Sequence, residues 1–208
     1  MRVVVFGAAG RTGRNIVEQA LSRGYHVTAF IHKTRGLEED AEKGLQAAQG
    51  DVLYAGDVDL AVAGHDAVLS ALGRSNSRRQ VTFPGTKNIV EAMEKTGVRR
   101  LIVESAFGAG ESAKEMSFLD RFLVRGVLLK SSFRDKDRME RCVEKSRLEW
   151  TIVRPPRLTD GPRQGRYRAG ERIPLSIRSG MSREDVADFM LDQVEGVEFV
   201  NKKPSVGY

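Results

Sequence analysis

The sequence predicts an α/β fold, a doubly wound parallel sheet in a single domain. Three observations predict it. Short apolar, β-branched runs alternate with stretches of helical spacing along most of the chain. The runs are nearly continuous in apolar residues, as in parallel sheets covered by helices on both faces. A glycine-spaced turn, GAAGRTGR at 7–14, joins the first run to the first helical stretch.

Val3 to Phe6 is the first strand, and Thr12 to Arg23 sets Ile16, Val17, Ala20 and Leu21 on one helix face. Tyr25 to Ile31 is the second strand and completes a βαβ unit. Leu45 to Gln49, Ala67 to Leu72, Arg100 to Glu104 and Trp150 to Arg154 supply further strands. Helices are expected at Val58 to Ala63, Gly85 to Thr96 and Arg134 to Ser146. Right-handed crossovers make the sheet doubly wound, and a ligand then lies beyond the carboxyl ends of the strands, where strand order reverses. That rule selects the loops 7–13, 32–36, 51–57, 72–84, 105–115 and 155–165.

Met116 to Phe133 and the tail after Gly165 break the alternation. The first, alternately apolar and basic, reads as a core helix, a flap over the ligand, or a contact with another copy or a membrane surface. A variable, substrate-side portion is therefore expected around 105–133 and 155–180.

At 208 residues the chain buries roughly 70% of its unfolded surface in one core. No apolar run reaches the ~20 residues a membrane span needs, and MRVVVFGAAG enters a strand without an export signal, so a cytoplasmic monomer or homodimer is expected. The single cysteine, Cys142, sits at helical spacing beside Met139 and Val143, which suits packing better than redox chemistry. Net charge is +6. The cations are scattered among acids with few aromatics, so a small phosphate-bearing ligand explains them better than nucleic acid.

Gly7, Gly10 and Gly13, between a strand and a helix, suit backbone N–H groups brought up to a pyrophosphate, aided by the helix dipole. Arg11, Thr12 and Arg14 lie in the same turn. A cation there opposes the dipole by about 0.3–1 kcal/mol unless an anion binds, and Arg11 is expected to reach it. The second strand ends in FIHKTRG, with His32, Lys33 and Arg35 and no acid until Glu38. A carboxylate at this point takes ribose hydroxyls and a cation takes a 2′-phosphate, so NADPH is favoured over NADH. A solvated basic loop is the competing reading. Asp51 and Val52 are expected to flank the adenine, and Leu72, Gly73 and Arg74 to follow the fourth strand along the cofactor.

Absences narrow the chemistry. Tyr25, Tyr54, Tyr167 and Tyr208 all lie away from the fifth strand and the helix after it, and Ser132 stands four residues before Lys136, so a Tyr-x-x-x-Lys pair is missing. His26, His32 and His65 are no better placed, and no metal-ligand spacing appears. Ser105, directly after LIVE, is placed to contact cofactor or substrate. Arg154 and Arg157 flank Pro155-Pro156, where each either holds an anionic group or serves the fold. Acid–base catalysis is worth about 10²- to 10⁴-fold, so a site without it favours acceptors that take hydride without a positioned proton donor, such as FMN, FAD or conjugated tetrapyrroles.

The chain resembles the atypical short-chain dehydrogenase/reductases that bind NAD(P)H on a Rossmann-type sheet, the NmrA-like proteins and the biliverdin reductase B/flavin reductase group among them. The resemblance spans nearly the whole chain. It is carried by GAAGRTG, by GDVLYAGDVDLAVAGHDAVLSALG at 50–73, by ESAF at 104–107 and by LEWTIVRPPRLTDGP at 148–162. It implies reduction of a flavin, or in some cases biliverdin, by NADPH, with Ser105 as the active-site serine and Asp51, Val52, Leu72, Gly73 and Pro155 along the cofactor. Lys136 and Arg157 complete the candidate catalytic set. Arg157 replaces the histidine that follows the paired prolines in the flavin and biliverdin reductase, and DKDRME at 135–140 matches bacterial members of unassigned substrate. A regulator that binds NADP(H) without catalysis is the alternative.

Overall fold

The computed structural model describes residues 1–32, 44–73, 80–176 and 178–208. Its centre is a six-stranded sheet in the order β3-β2-β1-β4-β5-β6, every neighbouring pair parallel. The strands are β1 (Arg2–Phe6), β2 (His26–Ile31), β3 (Leu45–Gln49), β4 (Ala67–Ser70), β5 (Arg100–Glu104) and β6 (Glu149–Val153). Strand order reverses at β1, which lies between β2 and β4 and so sets the crevice expected of a doubly wound sheet.

Alternation along each strand divides the core. Val3 and Val5 face one layer, built by α1 (Arg11–Ser22) and α6 (Arg183–Glu195). Val4 and Phe6 face the other, built by α2 (Ala55–Val62), α3 (Thr82–Thr96) and α5 (Lys130–Glu144). Both faces are buried, which is why the strands read as continuous apolar runs.

The helix α6 falls in the tail that periodicity left unassigned, because ten of its thirteen residues are buried and no polar stripe marks it. Its start is nonetheless written in S-R-E-D. The Ser182 hydroxyl accepts hydrogen bonds from the N–H groups of Glu184 and Asp185 at 3.1 and 3.2 Å, and both acids favour the helix's positive end. Arg100 fastens α6 to the sheet, its buried guanidinium donating to the Gln193 carbonyl and the Thr151 hydroxyl, and burial lowers its pKa to about 10.

Beyond β5, a 3₁₀ turn (Gly110–Lys114) precedes α4 (Phe118–Asp120), which runs into a π-helical stretch, Arg121–Leu128. The segment 116–133 is thus largely helical but is not a core helix, since Phe118, Leu119 and Phe122 are exposed. Two short pairs close the tail, β7 (Arg157–Thr159) parallel to β9 (Gly180–Ser182) and β8 (Arg168–Gly170) antiparallel to β10 (Ser205–Gly207). Among the described residues no helix is long and apolar enough to cross a membrane.

Ser182→Ala should lower unfolding free energy by about 1 kcal/mol, the usual worth of an N-cap. In urea denaturation the midpoint should fall with the slope unchanged.

Candidate functional site

Two adjoining cavities open at the carboxyl ends of the strands and share Gly7, Gly10, Leu72 and Val81, forming one crevice across β1 and β4. The first, about 250 Å³, is walled by Phe30, His32, Gly50, Asp51 and Val52. The second, about 380 Å³, is walled by Arg11, Thr12, Gly73, Glu104, Leu158 and Arg183. A further cavity of about 430 Å³ lies at the opposite, amino ends of β1 and β2, against Arg2, His26 and His65. The switch-point rule gives the ligand to the first two.

The glycines between the two halves are fixed by contact. Gly7 has φ +80°, and a Cβ on it would lie 2.6 Å from the Ala71 carbonyl oxygen. A Cβ on Gly13 would collide with the Gly7 carbonyl, so only glycine lets α1 close on the loop. A Cβ on Gly10 meets only that same carbonyl, at 3.0 Å. The turn therefore lies as bare backbone against the amino end of α1.

The first cavity brings Asp51, Val52 and His32 together on its wall. Asp51 ties down the turn after β3, its carboxylate accepting from the Leu53 N–H at 2.9 Å, while Asn88 donates to the Val52 carbonyl at 2.9 Å. His32 stands exposed on the wall; Lys33, Arg35 and Arg74 lie outside the described residues. The arginines of the turn divide. Arg11 reaches across the second half to Asp160, at 2.7 Å, and Arg183 meets the same carboxylate at 2.5 Å. Arg14 folds back toward the first cavity, its Nε donating to the carbonyl of Ala9, which lines it, at 3.3 Å. Arg11, the cation expected to meet the phosphate, is therefore held toward β7.

In the second half Glu104 is the lining carboxyl, buried at the end of β5 and hydrogen-bonded by the Thr12 side chain. Burial raises its pKa, against the pull of Lys136 and Arg183. The sequence analysis does not single it out; the signal for it is a carboxylate closing the apolar run Leu101–Val103.

Ser105 follows, buried, its hydroxyl donating to Glu140 Oε1 at 2.6 Å. Lys136 does not meet a tyrosine. Its ammonium donates to the Ser105 carbonyl at 2.9 Å, and burial lowers its pKa while Glu104 opposes the shift. Arg154, one of the two arginines flanking the prolines, holds the chain's own carboxylates. It pairs with the buried Glu140 at 2.6 Å and bidentately with the half-exposed Glu111 at 3.0 Å. Gly110, with φ +52°, leaves the room this pair occupies. The carboxylates of Glu111, Glu140 and Glu144 converge within 4.8 Å, a grouping the sequence did not suggest, but each is already ion-paired with Arg154 or Lys203. Pro155 is buried, its carbonyl accepting from the Phe107 N–H at 2.7 Å. Arg157 opens β7 as an exposed side chain beside Gly180, one residue before the crevice-lining Leu158.

The DKDRME stretch of α5 is a set of fasteners. Asp135 accepts from the Thr82 N–H at the start of α3, and Asp137 from the Gly110 N–H. Arg138 stacks 4.1 Å above the Phe83 ring, and Glu140 holds Ser105 and Arg154. Cys142 is half-buried, its thiol pKa raised by burial.

A glycine cradle at the switch point of a 3-2-1-4-5-6 parallel sheet defines a dinucleotide-binding Rossmann protein, here an atypical short-chain dehydrogenase/reductase. The chain belongs to the NAD(P)H-binding family, whose model matches residues 7–196. It is 26% identical over 209 residues to the photosystem II assembly factor Ycf39 of Synechocystis, covering 94% of this chain and 59% of that one. An uncharacterized chloroplastic protein of Arabidopsis thaliana is 32% identical, over 79% of this chain and 61% of its own length. The chain thus spans about three fifths of these two curated relatives. Among solved structures it is similar to the anaerobillin reductase ChuY of Escherichia coli, with TM-score 0.86, 22% identity and coverage of 100% and 97%. A short-chain dehydrogenase/reductase of Veillonella parvula in complex with NADP superposes with TM-score 0.83 at 22% identity, covering 100% and 94%.

Glu104 is neutral below its raised pKa and anionic above it, so affinity for an anionic nicotinamide dinucleotide should fall as pH rises through that value. Glu104→Gln, neutral throughout, should flatten the decline in a fluorescence titration with NADH or NADPH. Any titration of the dinucleotide itself is common to both proteins and cancels in the comparison.

Proposed function

We propose that the chain is an NADPH-dependent reductase that transfers hydride to a flavin or another conjugated acceptor, such as a quinone or tetrapyrrole. The observation that carries this reading is the engagement of both conventional catalytic groups inside the protein. The Ser105 hydroxyl proton is committed to Glu140, and the Lys136 ammonium to the Ser105 carbonyl. A ketone or alcohol substrate would need such a group as proton donor; a conjugated acceptor spreads the arriving charge over its own π-system.

The cofactor is assigned to the first cavity and the glycine turn. Gly7, Gly10 and Gly13 would hold the pyrophosphate, Asp51 and Val52 the adenine, and His32, Lys33 and Arg35 the 2′-phosphate, with Arg14 nearer that end than Arg11. When bound, NADPH supplies the hydride. Ser105 and Lys136 act as positioning residues that fix the end of β5, while Leu158 and the Glu104–Thr12 pair shape the second half. Arg157 is assigned to an anionic group on the acceptor. The likeness to an NADP complex and to a tetrapyrrole reductase supports this reading at the level of fold.

Anaerobic stopped-flow mixing of NADPH with excess FMN tests it: NADPH should be oxidised faster than in protein-free solution. Ser105→Ala should retain the rate within about tenfold, less than the loss of a general acid would cost. A larger loss would show Ser105 to be the proton donor, and no oxidation with FMN, a quinone or biliverdin would leave a non-catalytic NADP(H)-responsive regulator.

Charge removal at Lys33 and Arg35 should weaken NADPH far more than NADH in equilibrium titrations. Equal losses would refute recognition of the 2′-phosphate.

A further inference from the structure

The helical segment after β5 leaves large apolar side chains in solvent. Phe118, Phe122, Val127 and Leu128 are 77%, 60%, 60% and 71% exposed. Single exposed apolar residues are ordinary, but a contiguous set of this kind on a monomer surface marks a contact.

The spacing makes them one face. The Leu129 N–H donates to the Val124 carbonyl at 2.8 Å, an i→i+5 bond, so this stretch is wound as a π-helix. In such winding, residues four and five apart stack, which aligns Phe118, Phe122 and Val127. Asp120 lies on the protein side, buried and paired with Arg178 at 2.9 Å.

The charge is one-sided. Asp120 is the single acid between 116 and 134, and the structure neutralises it, whereas Arg121, Lys130 and Arg134 are exposed on or beside the same segment. A second copy docked by a two-fold axis would set these cations against their own kind. An anionic lipid surface complements them, and acyl chains receive the phenylalanines. The segment is too short to span and has the composition of a helix lying in the interface plane.

We propose that residues 118–130 dock the protein on anionic lipid bilayers, with Phe118, Phe122, Val127 and Leu128 inserted below the headgroups and Arg121 and Lys130 at the phosphates. The segment leaves the carboxyl end of β5, the end at which the dinucleotide crevice opens. Docking is independent of which acceptor the crevice serves.

The test is co-sedimentation of the full chain with phosphatidylglycerol vesicles and with phosphatidylcholine vesicles. Binding should appear on the anionic vesicles and weaken with salt. Phe118→Ser and Phe122→Ser should each reduce it by about tenfold or more, the worth of burying a phenylalanine. In Phe122→Trp, the new indole emission should shift to the blue when vesicles are added. Three results would overturn the proposal: no binding to anionic vesicles at low salt, binding by Phe118→Ser equal to the parent's, or a vesicle-free dimer in light scattering that both serine variants abolish. Circular dichroism of the variants separates loss of docking from loss of fold.

Discussion

The structure around the second half of the crevice depends on one buried ion pair, Arg154 with Glu140. The guanidinium comes from the end of β6 and the carboxylate from the middle of α5, and both are almost wholly out of water. Breaking such a pair by removing one partner costs about 3–5 kcal/mol, because the other charge is left buried alone. The pair is also a hub. Glu140 accepts the Ser105 hydroxyl, and Arg154 holds Glu111 on the turn after β5, so two strands, a helix and a loop share one electrostatic centre. Glu111 shows its effect. Burial alone would raise its pKa, yet its hydrogen bonds to Arg154 and Lys203 lower it to about 2.

The two halves of the crevice are built by different physics. The glycine turn is a matter of backbone contact: a Cβ on Gly7 or Gly13 would collide with backbone, and one on Gly10 would press on the Gly7 carbonyl. The other half rests on side chains brought from six parts of the chain: Arg11 and Thr12, Glu104, Lys136, Arg154, Leu158 and Arg183. Backbone contact tolerates almost no variation, whereas a network of charged side chains can be rebuilt with other partners. A single fold can therefore keep its cofactor while changing its acceptor.

This difference explains what the sequence disclosed. The sheet, its crossovers and the glycine turn were legible because each is a local pattern: continuous apolar strands, helical spacing, G-x-x-G-x-x-G. Leu72, Gly73, Asp51 and Val52 were legible as cavity walls because the switch-point rule points to the strand ends. Glu104 was not, since a carboxylate closing a strand looks like any solvent-facing end until α1 and α6 are seen to cover it. Arg154 was legible as a residue but not as a role. Next to Pro155 it reads equally as an anion holder for a ligand or for the protein, and only the placement of Glu111 and Glu140, 43 and 14 residues away, decides for the protein. Helix α6 was hidden for the opposite reason: burial on nearly all sides removes the polar stripe that marks a surface helix.

Arg11 joins the two halves. In the turn its charge opposes the α1 dipole, and the structure compensates it through Asp160, on the loop after β7, which also holds Arg183. The Arg11–Asp160 contact is exposed on both sides, 70% and 61%, so it is worth little in itself and is screened by salt. Asp160 takes two cations, one from the glycine turn and one from the start of α6. The electrostatic mismatch in GAAGRTGR is met by a carboxylate of the chain itself, on the loop that follows the strand carrying Arg157 and Leu158.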